Sequence, residues 1–234
     1  MTGHSERRRR FYALILGCAL LMGAMFVNPD MWQQEVPAQS KSVVATSPAI
    51  EKLNELEVKG RAPKTDYDRS MFGGGWSSVE GCDTRNIILN RDLKDIAVGG
   101  DCQIQSGTLE DPYTGKTIVF NRGVGTSDDI QIDHVVALSD AWQKGAQSMS
   151  YEQRKAFAND PLELLAVDGP ANQRKGGGDA ATWLPSNKVF RCQYVARQIA
   201  VKLKYGLWVT SAEYEAMKRV LSVCPNQALP SASN

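Results

Sequence analysis

Histidine is nearly missing from this chain: there are two in 234 residues, His4 and His134. His4 lies in a basic leader, so His134 is the one imidazole open to a folded domain, and a His-rich metal centre is excluded. No C-x-x-C pair occurs, which leaves a structural zinc site without its usual ligand spacing. No G-x-S-x-G elbow occurs either, and with one folded histidine a Ser-His-Asp hydrolase has no footing. Charge of either sign is also not in surplus, at 27 Lys+Arg against 26 Asp+Glu. Setting aside the four basic and three acidic residues of the first 40 leaves 23 of each. A domain so balanced does not hold polyanions by bulk charge, and any such contact must come from a local patch. No internal repeat is present.

What is present begins with a leader. Arg7 to Arg10 form a positive block, and "FYALILGCALLMGAMFV" follows at 11–27. This is the layout of a signal peptide or an N-terminal membrane anchor, of marginal length for a span, which takes about 17–25 residues. The positive block should stay inside and the rest be exported. Residues 28–48, rich in Pro, Gln, Ser and Ala, read as a linker, 49–224 as one domain, and 225–234 as a polar tail. Beyond Cys18 the chain has Cys82, Cys102, Cys192 and Cys224. An even number in an exported domain suggests two disulfides. Of the three pairings, Cys82–Cys102 and Cys192–Cys224 are preferred because each closes a short loop.

The domain reads as α+β. "SPAIEKLNELEVKG" (47–60) predicts a helix capped by Ser47 and ended by Gly60. "FGGGW" (72–76) is a loop, and "IILNRDL" (87–93) is an apolar run of undecided type. A turn at 111–115 leads into the β-prone "TIVF". "IQIDHVVAL" (130–138) alternates and is β-branched, hence a strand. A capping box of Ser150 with Gln153 opens a helix that Pro161 stops. "LELLAV" (162–167) reads as a strand. Asp168 and Pro170 open a short helix ended by Gly176 to Gly178. Two further helices run from Ser186 to about Tyr205 and from Thr210 to about Cys224. The architecture is therefore mainly helical with a few strands.

Two strands and a helix with oxygen donors at Asp133 and Asn172 form a compact way to hold one hard divalent ion, Mg²⁺ first and Mn²⁺ second. His134, with an ordinary pKa of about 6.5, could take a proton from water near neutral pH. Strand alternation would point Asp133 and His134 to opposite faces, unless the strand ends or bulges there.

"DHVVAL…NDPLELLAV…NQRKGGGD" resembles the HNH endonuclease family, whose core is a ββα-metal finger, and more narrowly the HNH domain at the C-terminal end of GmrSD-type restriction enzymes and of exported bacterial proteins. The likeness runs from about Phe72 to Cys224 and includes "GCDTRN", "DPYTG" and "WLP". It implies an exported endonuclease with His134 as general base, Asp133 and Asn172 as metal ligands, and Lys175 near the phosphate or bracing the finger. The family's orienting Asn on the second strand falls here at Glu163. Asn159 or a backbone carbonyl could serve instead. The implied partner is nucleic acid, DNA ahead of RNA, with Arg85 and Arg122, besides Arg69, as candidate phosphate grips. No protein partner is implied. The other reading is an exported binding domain that keeps the finger only as a scaffold.

Overall fold

A computed structural model describes residues 47–230. The expected leader at 1–27, residues 28–46 of the expected linker and the last four residues lie outside the described residues. Among those described, no helix is long and apolar enough to cross a membrane.

Ser47 accepts from the Ile50 N–H at 3.2 Å and Pro48 opens α1 (Pro48–Leu53). The helix stops well before Gly60 because the following backbone finds other partners. Lys59 donates to Val209 and Val209 to Glu57, at 2.9 and 3.0 Å. A 3₁₀ turn at Arg69–Phe72, capped by Asp68, then leads through Gly73 into a short hairpin of β1 (Ser78–Val79) and β2 (Cys82–Asp83). The undecided run at 87–93 belongs to helix α2 (Thr84–Asp92), whose first turn is capped by Asp83.

Next come β3 (Lys94–Val98), β4 (Ile104–Glu110) and β5 (Thr117–Asn121), an antiparallel sheet in that order. Sequence reading anticipated only β5. β3 is mostly exposed and lacks alternating apolar residues, so its pairing is a tertiary event. With seven strands in three antiparallel sheets among the described residues, this is a mixed α and β fold, and the expectation of a mainly helical domain is corrected.

The central unit is β6 (Ile130–His134), α3 (Leu138–Gln143), α4 (Tyr151–Ala158), β7 (Leu164–Asp168) and α5 (Gly169–Lys175). The Ser150–Gln153 capping box is formed at the start of α4. β6 and β7 pair antiparallel, with His134 opposite Leu164 and Asp133 opposite Leu165. The long α6 (Arg191–Tyr205) and α7 (Ser211–Leu221) complete the chain.

Two apolar clusters flank the β6–β7 pair. Ile130, Ile132, Leu164 and Ala166 join Ile88, Leu89 and Phe120 on one side. Leu165, Val167 and Val135 join the larger core of α1, α3, α4, α6 and α7 on the other. A two-stranded unit buried on both faces must read as a continuous apolar run, which explains "LELLAV". Both expected disulfides are present, Cys82–Cys102 and Cys192–Cys224.

Candidate active site

β6 ends at His134, and the side chains of its last two residues leave opposite faces, as period-2 alternation requires. On one face the His134 imidazole is nearly buried, with Nε2 3.0 Å from the carbonyl oxygen of Ala158 at the end of α4. A carbonyl only accepts, so Nε2 carries the hydrogen and Nδ1 of the neutral ring keeps the basic lone pair. The Trp76 ring lies offset-parallel to the imidazole, 5.8 Å between centroids and 10° between planes. Burial lowers the imidazole pKa to about 3, against the opposing pull of the Ala158 carbonyl, and the positive charges of Arg69 and Lys175 add to the lowering. His134 is therefore neutral at neutral pH.

On the other face Lys175 Nζ sits 2.9 Å from Asp133 Oδ1 and donates to the His134 carbonyl at 2.7 Å. The Tyr113 hydroxyl donates to Asp133 Oδ2. Burial, and then the Asp133 charge, push the Tyr113 phenol well above its usual pKa, so it stays a donor. The strand exit is fixed from α6, where Gln198 donates to the Val135 carbonyl at 2.8 Å.

Helix α5 brings Asn172. Asp168 caps it, and Gly169 is obligatory at its start: a Cβ there would lie 2.1 Å from the Asp128 carbonyl oxygen. The Asn172 amide nitrogen donates to Gln131 Oε1 at 3.0 Å, and among the described residues its own oxygen accepts no side-chain hydrogen bond. Asp133, His134 and Asn172 line one cavity of about 260 Å³, together with Arg69, Tyr67 and Ser139. A carboxylate and an amide oxygen on one cavity are the hard oxygen donors that divalent cations take, and the carboxylate's two oxygens also contact Lys175 and Tyr113. Among the described residues no cage of three or more His, Cys, Asp or Glu side chains occurs.

Other expected residues are placed elsewhere. The fully buried Glu163 carboxylate accepts from the Val136 N–H at 3.2 and 3.3 Å, and burial drives its pKa well above the usual carboxylate range. The imidazole's acceptor is the Ala158 carbonyl, not Glu163 or Asn159, whose side chain accepts from Ser77 and Thr84. Arg85 donates to the Ser127 and Ile130 carbonyls, and Arg122 to the Ile104 carbonyl and Asn86. Arg85 ties α2 to β6 and the loop before it, Arg122 ties the end of β5 to β4 and α2, and neither lines the cavity, whereas Arg69 does. Lys175 braces the strand end rather than facing the cavity. Asp179 belongs to a separate buried network with Arg61 and Lys144, which Asp140, Glu213 and Lys202 complete.

Trp76, Tyr113 and Ala158 were not legible as site residues. Trp76 stands at the end of a glycine loop, and the part played by Ala158 comes from its backbone, which leaves no mark in residue type.

The sequence profile of the C-terminal domain of GmrSD restriction endonucleases matches residues 84–220. An uncharacterized secreted protein of Arthroderma benhamiae is 37% identical over 186 residues, covering 78% of this chain and 88% of that protein. No solved structure matches.

Proposed function

The chain belongs to the HNH-type family of GmrSD restriction endonuclease C-terminal domains, and from that premise we propose that it is an exported, divalent-cation-dependent endonuclease that hydrolyses phosphodiester bonds in nucleic acid, DNA ahead of RNA. The carrying observation is the single cavity that gathers a neutral imidazole, a carboxylate and an amide oxygen at the end of one strand pair. In this reading β6, β7 and α5 are the ββα-metal finger of a domain spanning 49–224, preceded by a leader at 1–27 that is either removed or kept as an anchor. The secreted relative and the two disulfides support export.

Nδ1 of His134 takes one proton from a water whose oxygen bonds to phosphorus as the bond from phosphorus to the sugar oxygen breaks, and that leaving oxygen takes a proton from solvent. The Ala158 carbonyl holds the ring in the tautomer this needs. Lys175 and Tyr113 fix the Asp133 carboxylate, so its orientation is set before substrate arrives. Asp133 and Asn172 would hold a Mg²⁺ or Mn²⁺ ion, which supplies neutralisation of charge on the phosphate. Arg69 adds positive charge at the cavity wall. Glu163 and Lys175, expected at the chemistry, act in this reading through the backbone and Asp133.

A second reading has one observation in its favour: both Asp133 oxygens already have protein partners, as a purely structural strand end would arrange. In that case the unit is a scaffold for binding. Hydrolysis of plasmid DNA and structured RNA by the disulfide-intact protein in Mg²⁺, Mn²⁺ or EDTA, beside His134→Ala, separates the two. Cation-dependent nicking that vanishes in the variant supports the nuclease. Intact substrate with folded wild type removes it.

A further inference from the structure

Two cavities meet at His134. Besides the one holding Asp133 and Asn172, a cavity of about 210 Å³ lies against Phe72, Gly73, Gly75, Trp76 and Ala158. Arg69 and Leu138 border both. Resting on the nuclease reading, we propose that this second cavity is a nucleoside subsite: it takes the base and sugar of one unpaired nucleotide beside the scissile phosphate, with Trp76 as the stacking platform and Arg69 gripping the phosphate between the cavities. The substrate class is thus single-stranded or locally unpaired nucleic acid.

Arg69 is exposed on a 3₁₀ turn whose start is fixed by Asp68 accepting from the Ser70 N–H at 2.8 Å. Among the described residues its guanidinium makes no ion pair and donates no hydrogen bond, whereas Arg61, Arg85, Arg91 and Arg122 are each committed to protein acceptors. In a domain without bulk positive charge, an uncommitted guanidinium at the wall of both cavities is the local donor that a phosphate requires.

Trp76 and His134 both line the second cavity, with the indole plane within 10° of the imidazole plane, and the indole gives it a flat aromatic wall. The wall stays open because the chain before it is glycine: Gly73 and Gly75 have φ of +108° and +139°, which disfavour any side chain, and a Cβ at Gly75 would meet nothing within 4 Å. A base in a duplex has both faces covered by its neighbours, so only an unpaired or extruded base reaches such a wall. Residues 69–76 precede the segment that matches the family, so this wall is supplied from outside the matched part.

The test is fluorescence anisotropy in EDTA, which reads binding without turnover, on the full disulfide-intact chain. The probes are a short labelled single strand and the same strand annealed to its complement. Wild type should prefer the single strand. Trp76→Ala should weaken single-strand binding about tenfold, within the range one base–aromatic stack contributes, and leave duplex binding unchanged, while Trp76→Phe keeps most of the affinity. Arg69→Ala should weaken both probes and Arg69→Lys recover part. Thermal melts establish that each variant is folded. A duplex preference, or a Trp76→Ala effect that is absent or equal on both probes, overturns the subsite while cation-dependent cleavage still stands for the nuclease. Binding of neither probe by wild type also overturns the subsite, and intact substrate in the cleavage test is what removes the nuclease.

Discussion

The imidazole of His134 and the carbonyl of Ala158 meet at 3.0 Å across 24 residues of chain, and this contact assigns the two ring nitrogens different work. Because the ring is buried and faces positive charge, its pKa falls to about 3. With two histidines in the chain, ¹⁵N spectra of the imidazoles resolve it directly. His134 should show the Nε2–H tautomer and no titration between pH 5 and 8, while a solvent-exposed histidine titrates near 6.5. The acid limb of kcat/KM should likewise lie well below pH 6.5.

The same shift bears on stability. The unfolded chain takes up a proton near pH 6.5 and the folded chain only near 3, so between these values the unfolded state binds more protons. The contribution of His134 is complete above pH 6.5 and declines as pH falls toward 3, by up to about 1.4 kcal/mol per unit. Thermal melts across that window should fall less steeply in His134→Ala than in wild type. Hydrolysis by that variant should drop by about 10²–10⁴-fold.

Lys175→Met leaves the Asp133 carboxylate buried without its cation. The cost is about 3–5 kcal/mol, a fall in Tm of roughly 10 °C for a domain of this size. Asp133→Asn placed on Lys175→Met should recover part of that loss, because it removes the stranded charge. Paired melts of the single and double variants check this.

Glu163→Gln keeps an oxygen for the Val136 N–H and does not alter the imidazole's acceptor. Its hydrolysis rate should stay within about threefold of wild type, since less than about 1 kcal/mol of barrier is at stake. Glu163→Ala should cost about 1–3 kcal/mol in stability by stranding that N–H. The folded pKa of Glu163 is raised, so its contribution is present below the unfolded value and is lost as pH rises through the folded one. Melts of Glu163→Gln should accordingly decline less toward alkaline pH.

Serine replacement of either cystine should cost about 3–4 kcal/mol by loop entropy, with separations of 20 residues for Cys82–Cys102 and 32 for Cys192–Cys224. Denaturant midpoints with and without reductant read the loss.

By itself the sequence determined the local and ordered features of this protein. Helix caps at Ser47, Ser150, Asp168 and Thr210 are formed where the residue types require them, because a cap is a bond between neighbours. The ordered set of short motifs, GCDTRN, DPYTG, DHVVAL, NDPLELLAV, NQRKGGGD and WLP, was enough to identify the family, and loop length alone selected the disulfide pairing. Only the tertiary structure decided which groups meet His134. Arg69 stands at the cavities while Arg85 is spent on backbone carbonyls and Arg122 on a carbonyl and the Asn86 side chain, and the spacing of three similar guanidinium groups carries no sign of that. The mostly exposed β3 and the partly buried β4 have no strong pattern of their own and exist because each pairs with a neighbouring strand. The orienting acceptor at Ala158 was invisible for a simpler reason: every residue has a carbonyl, and only the folded chain can choose which one faces the imidazole.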